Sequence, residues 1–399
     1  MPTSCLTLIT NTPRDYAWGT PGGISRLMGL SDTSGPEAEL WLGSHPASPS
    51  RSVCGDASWA DLTEWEAASG RRLPFLLKVL SAATPLSLQV HPSEDQARRG
   101  FHREERLGIP RDDRRRSYRD PFAKPEMIVA LEDGFEALCG FREPAETLAE
   151  LETLTACGLG SEAEPLLTRL KGRDALREAT TWSLSADPRA KDLAAALTRI
   201  VLLPSCPSRA LGWLAAEYPG DPGLVVALLT NSVTLRAGQA LWLPAGKIHS
   251  YLRGSGVELM GPSDNVLRGG LTRKHVDVTE LARVVDFRAD QASLLVPEEP
   301  NATISAFRPR DEASGRGVGF QMVVVAGDAD IQVDSPALGI CLEGGFSLSL
   351  DGSSVDLPRG AAAFVDASGA LKVRGGGHLY LALSDTAPKR AARTATRED

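Results

Sequence analysis

The sequence predicts a mainly β protein with a helical insertion, and three changes of pattern along its 399 residues carry that reading. Short apolar runs punctuated by Gly and Pro fill the chain to about Gly140, apolar residues recurring every three or four positions follow Glu143, and strand-like alternation returns near Ser232. A chain of this length exceeds what one hydrophobic core organises, so two or three structural units are expected. Hydrophobic residues make up 42% and charged residues 24%, which is enough apolar material to exclude wholesale disorder.

Taken in order, TLIT, RSV, LPFLLKVL, LSLQV, EMIVAL and FEALCGF read as strands. Between them, Ala97 to Asp120 is rich in Arg but interleaved with acids and poor in aromatics, which predicts a solvated helix and loop rather than a basic recognition element. Leu148, Leu151 and Leu154, then Leu193, Leu197 and Ile200, then Leu211, Leu214 and Ala215 each mark one apolar helical face. Ser161, Asp187 and Asp221 stand where caps are expected, and Pro222 suits a first helical turn. Strands resume with SVTLRAGQALWLPAGKIHSYL, VELM and NVLRGGL, and a short helix is expected near Thr279 to Val285. From Phe320 to Asp385, alternating runs and Gly-containing turns predict a second small sandwich or barrel. The expected divisions are 1–142 and 231–318 for one interrupted unit, 143–230 for the helical insertion, 319–386 for the second β unit and 387–399 for a flexible tail.

A formal net charge of -8 opposes general attraction to nucleic acid or anionic membranes, so any anion site must be local. No apolar run reaches bilayer length and the first residues lack a signal-peptide pattern, which predicts a cytoplasmic protein with neither nucleic acid nor membrane as partner. Cys5, Cys54, Cys139, Cys157, Cys206 and Cys341 show no CxxC spacing, which argues against a disulfide framework and a cysteine-ligated zinc.

Gly238, five residues, Pro244-Ala245-Gly246, two residues and His249 match the second motif of cupin barrels, in which a tight turn aims the histidine into the barrel mouth. Gln89 and His91 stand two apart, so on a strand both leave the same face. Glu126 follows a Pro turn and opens an apolar strand, where an isolated carboxylate would be costly to bury. Two imidazoles, a carboxylate and an amide oxygen make a set suited to one Zn²⁺ per chain. The region after Phe320 has neither a PxGxxH turn nor a QxH pair, so the second β unit is expected to be metal-free.

YAWG, AELWLGSHPASPS, LPFLLKVLSAATPLSLQVHPS, DPFAKPEM, YPGDPGLVVALL, PAGKIHSY and GVELMGPSDNVLRGGLTRKHVD together make the sequence resemble the type I mannose-6-phosphate isomerases, a zinc-dependent cupin-fold family. The resemblance spans nearly the whole chain. It implies two cupin-type (jelly-roll) β-barrels plus an α-helical domain, with the zinc ligands at Gln89, His91, Glu126 and His249. It also implies an aldose–ketose isomerase acting on a small sugar phosphate through an enediol. Lys124, Tyr251, Glu258, Asp264, Arg268 and Lys274 then fall in or beside the active site, with Lys78 and Ser87 as further pocket residues. Glu258 is the first candidate for the base, with Lys124 or a zinc-bound hydroxide as alternatives. Arg268 is expected to stabilise enediolate charge and Asp264 to assist ring opening, while Lys274, Lys78, Lys124 and Ser87 form a donor set for phosphate.

His45 is expected in a turn at the pocket edge, and His102, His275 and His378 in structural or surface positions. A monomer is expected, with a weak dimer as the alternative. Two other readings compete, a cupin oxygenase and a non-catalytic sugar-binding cupin. The extra Gln ligand and the basic pocket argue against the first, and Glu258, Arg268 and Lys274 together beside the metal argue against the second.

Overall fold

Strand alternation sorts the chain into two ten-stranded sheets joined by a shared apolar core. The computed structural model describes residues 5–31, 34–53, 57–311, 314–334 and 336–385. The tail expected at 387–399 and Cys54 lie outside them. Among the described residues the strand pairings do not run round into a closed barrel, and no helix is long and apolar enough to cross a membrane.

The first sheet is organised by the strand His249–Met260. Its first half pairs with Phe135–Phe141 and Gln89–Val90, its second half with Leu76–Ala82 and Glu126–Ala130. A register shift between Tyr251 and Arg253 and a left-handed Gly254, φ 111, mark the change of partners. A Cβ on Gly254 would stand 2.9 Å from Phe135 Cα, so a larger residue is excluded from the bend. Alternation then divides the side chains. Leu77, Val79, Met127, Val129, Val257 and Leu259 face the core shared with the second sheet, whereas Leu80, Ile128 and Tyr251 line the interior of the first. Lys78 and Glu126 have the parity of Leu80 and Ile128, and Glu258 stands opposite both Lys78 and Ile128 in register.

Six helices run from Pro144–Ala156 to Gly223–Leu228. Their apolar faces pack with Leu88, Val90, Leu138, Phe141, Ile248, Leu252 and Leu267 of the first sheet. Because Leu88 and Val90 face the helices, Gln89 and His91 are left to the opposite face. Asp187 caps Pro188–Val201 by accepting the Arg189 N–H, as expected. Ser161 instead opens a short 3₁₀ turn with no capping bond. Pro222, not Asp221, is the N-cap of Gly223–Leu228, and Asp221 Oδ1 instead accepts both Gly223 N–H at 2.7 Å and Leu271 N–H at 2.9 Å, tying the helical layer to the loop after Arg268. That loop is tightly held. Leu271 is fully buried at φ 54, a conformation that costs a non-glycine residue about 1 kcal/mol or more.

The second sheet draws on more of the chain than residues 319–386. Leu6–Thr10 pairs antiparallel with Ala362–Val365, and Glu298–Asn301 and Ile304–Phe307 extend the other side through Gln321–Val325. Alternation reveals a strand and its buried face but not its partner, which is why these pieces fall across the expected divisions. Its interior holds an apolar cluster that includes Val325, Ile331, Phe346, Leu348, Leu371 and Leu381.

Phe364 is 1% exposed and meets Trp65 and Trp59 edge-on, with ring centroids 4.8 and 5.7 Å away, where the N-terminal segment closes on the second sheet. Phe364→Ala should therefore lower unfolding free energy by about 3–5 kcal/mol, seen as a reduced urea midpoint at unchanged slope. A midpoint equal to that of the wild type would show that this face is not packed as described.

Candidate metal centre

His91 Nδ1 stands 2.7 Å from the carbonyl oxygen of Asn265, and His249 Nδ1 stands 2.9 Å from that of Lys247. A carbonyl only accepts, so each ring carries its proton on Nδ1 and presents a lone pair at Nε2. Both Nε2 atoms are buried without a hydrogen-bond partner and face Glu126 Oε2 at 3.3 and 3.4 Å. Three acceptors turned toward one point repel each other unless a cation lies between them. For a tetrahedral ion with bonds of about 2.0–2.1 Å, ligand atoms stand roughly 3.3 Å apart, which is the spacing the two imidazoles keep from the carboxylate. His91, Glu126 and His249 are the described group that meets the requirements for holding one metal ion.

Electrostatics favour the same protonation states. Burial pushes His91 down to about 4, which leaves the imidazole neutral and able to ligate at neutral pH. Burial alone would push Glu126 up, but the Lys124 ammonium, 2.9 Å from Oε1, helps hold it well below the usual carboxylate range. Gln89 pairs in register with His249 on one side and Arg268 on the other, which places this residue beside the group. Ser87 precedes it by two residues, in the segment just before the strand.

A second buried group lies nearby. Lys78 Nζ sits between Glu258 Oε2 at 3.2 Å and Glu39 Oε1 at 3.3 Å, and lies over the Trp41 ring. The Tyr251 hydroxyl donates to Glu258 Oε1 at 2.9 Å. Burial, reinforced by Glu126 and Glu39, outweighs Lys78 and raises the Glu258 carboxyl above its ordinary range. Burial would lower Lys78, but Glu39 and Glu258 raise it further, so it stays protonated. Burial and the Glu258 charge push the Tyr251 hydroxyl well up, leaving it a neutral donor. Lys78 was expected among the phosphate donors. The structure commits its charge to two carboxylates instead, at 6% exposure.

The remaining expected residues form a rim. Asp264 Oδ1 lies 3.2 Å from His45 Nε2, and this contact holds Asp264 below the usual carboxylate range. His45 also fixes its own turn by accepting the Ala47 N–H. Arg268 and Lys274 are each lowered, first by partial burial and then by neighbouring positive charge, with Arg119 acting on both. Three cations thus gather on one side in a protein of net negative charge, an arrangement an anion would relieve. Glu39, Arg119 and Asn265 escaped sequence reasoning. Glu39 carried a signal, a charge in the otherwise apolar, wholly buried strand ELWL, whereas Arg119 was lost within an Arg-rich surface segment. His378 pairs with Glu343 in the second sheet, outside this centre.

A model of the type I phosphomannose isomerase catalytic domain matches residues 6–144. The chain is 34% identical to a mannose-6-phosphate isomerase of Escherichia coli over 93% of this chain and 97% of that one. It is 32% identical to the human mannose-6-phosphate isomerase over 69% and 71% of the two chains. Its structure resembles a zinc-bound mannose 6-phosphate isomerase with a TM-score of 0.83 and 30% identity, covering 96% of this chain and all of the other.

Metal analysis of protein purified without chelator should find one zinc per chain. His249→Ala should lose most of that zinc while remaining folded, because the sheets do not depend on its side chain. Full zinc occupancy in this variant would show that the ligand set has been misassigned.

Proposed function

The chain belongs to the type I mannose-6-phosphate isomerase family, and on that basis we propose that this site interconverts mannose 6-phosphate and fructose 6-phosphate with one zinc ion held by Gln89, His91, Glu126 and His249. The observation that carries the zinc site is the pair of orphaned Nε2 atoms facing a buried carboxylate. When bound, zinc polarises the carbonyl and hydroxyl oxygens of the open-chain sugar.

The isomerisation moves one proton between adjacent carbons through an enediol, so the chain must supply a base beside the metal. Glu258 is that base. Its raised carboxyl lies closer to neutrality than an ordinary glutamate, and the Tyr251 hydroxyl and Lys78 ammonium fix its two oxygens in place. Lys124 holds the outer oxygen of Glu126 and keeps that carboxylate ionised. Asp264, kept ionised by His45, is suited to accept the proton of the anomeric hydroxyl during ring opening. Lys274, Arg119 and the Ser87 hydroxyl form the phosphate end. Arg268, next to Gln89 in register, serves the negative charge that develops on the reacting oxygens.

We read the two sheets as two cupin-type barrels, the first divided by residues 143–230. The long strand shared between two groups of partners and the Pro244–Gly246 turn ahead of His249 support that reading.

A coupled assay of mannose 6-phosphate conversion with and without chelator tests the whole proposal, and a metal-independent rate would refute it. Arg268→Ala should lower kcat/KM by about a hundredfold or more at normal zinc content, with the loss in kcat rather than KM. Wild-type kinetics would place Arg268 outside the site. Glu258→Gln should lower kcat by on the order of a hundredfold or more. In the wild type, kcat/KM should fall on the acid side at a pH above the ordinary carboxylate range, because a raised carboxyl takes its proton earlier as pH drops. An acid limb at or below the ordinary glutamate value would assign the base elsewhere.

A further inference from the structure

Asn265 is fully buried, and its side chain is spent on a segment remote in sequence. Its Oδ1 accepts the N–H groups of Arg119 at 2.8 Å and Asp120 at 3.3 Å. Its Nδ2 donates to the carbonyl oxygens of Asp120 at 2.8 Å and Phe122 at 2.9 Å, and to Asp120 Oδ1 at 3.2 Å. Asp120 answers by accepting the Ser263 hydroxyl at 2.8 Å and the Asp264 N–H at 2.9 Å. The segment so fastened runs directly into Lys124 and Glu126. Meanwhile the Asn265 carbonyl takes the Nδ1 proton of His91 at 2.7 Å.

We propose that Asn265 is a positioning residue that sets zinc affinity by holding His91 and the Glu126 segment in one frame. A carbonyl can orient an imidazole only as firmly as its own peptide is held, and here the side chain of the same residue holds it, against the very segment that delivers the carboxylate ligand. Partners outside the ligand set that orient a metal-bound histidine typically alter affinity 10- to 100-fold when removed, by about the amount expected for loss of ring orientation. The inference rests on the zinc site proposed above and is independent of which sugar phosphate is turned over.

The test is zinc affinity of Asn265→Ala and Asn265→Asp, measured by competition with a chelator of known affinity, together with the visible absorption of the Co²⁺-substituted proteins. Asn265→Ala should bind zinc roughly 10- to 100-fold more weakly and show altered Co²⁺ bands. Asn265→Asp keeps the acceptor for the Arg119 N–H but turns a carboxylate oxygen toward the Asp120 and Phe122 carbonyls and Asp120 Oδ1, so its loss should be at least as large. A folded Ala variant with wild-type zinc affinity and an unchanged Co²⁺ spectrum overturns the proposal, even if it melts at lower temperature, because a merely structural role predicts that pattern. Should the Ala variant not fold, the near-isosteric Asp variant decides by the same two readouts. Wild-type protein that binds no zinc would remove the site itself, and this inference with it.

Discussion

Two main-chain carbonyls, those of Asn265 and Lys247, take the Nδ1 protons of His91 and His249 and so turn both Nε2 lone pairs toward Glu126. The rest of the centre is arranged around keeping those carbonyls still. Lys247 is buried and its ammonium pairs with Asp290, while the Gly246 N–H donates to the His91 carbonyl at 2.9 Å, so the turn before one histidine grips the backbone of the other. Gly246 adopts φ 82 with the Val284 carbonyl 3.2 Å from where a Cβ would stand, which is why the turn needs glycine. The helical layer serves the same end from behind, through Leu88, Val90 and Ile248.

Charge explains what lies around the ligands. Glu39, Glu126 and Glu258 are all buried, with Lys78 and Lys124 between them. Three carboxylates against two ammoniums leave one negative charge without a partner, an expensive state in a dry interior that adds to burial in raising the Glu258 carboxyl. A dication converts that deficit into a single excess of positive charge. That excess, together with Arg268, would stabilise the negative charge that grows on the sugar oxygens as the proton passes from carbon to Glu258.

The sequence makes the convergence of His91, Glu126 and His249 legible because each sits at a short-range device: a two-residue spacing, a Pro turn, and a glycine-bearing turn before a strand. The mainly β character and the helices after Glu143 are legible from periodicity alone. What escapes is pairing. That Leu6–Thr10 lies beside Ala362–Val365, that Lys78 faces Glu258, or that Arg119 meets Asn265 depends on which strands and loops become neighbours. No local pattern encodes that. Glu39 and Lys78 did leave a trace, since each is a lone charge in an apolar strand, and such a residue either finds a partner across the sheet or is not tolerated.

The placement of Leu6–Thr10 has a consequence for how the protein is made. During synthesis this strand is made long before its partner Ala362–Val365, although Ile9 and Thr10 pair much earlier with Ser52 and Arg51 on the other edge. Until then its unpaired backbone groups and apolar side chains form an open edge of the kind that invites pairing with another chain. Such long-range pairing slows folding, because a large loop must close before any contact rewards it. The nascent chain must therefore hold that edge open until Ala362–Val365 is made, and a premature stop that removes this strand would release a product with a solvent-facing β edge and a strong tendency to aggregate.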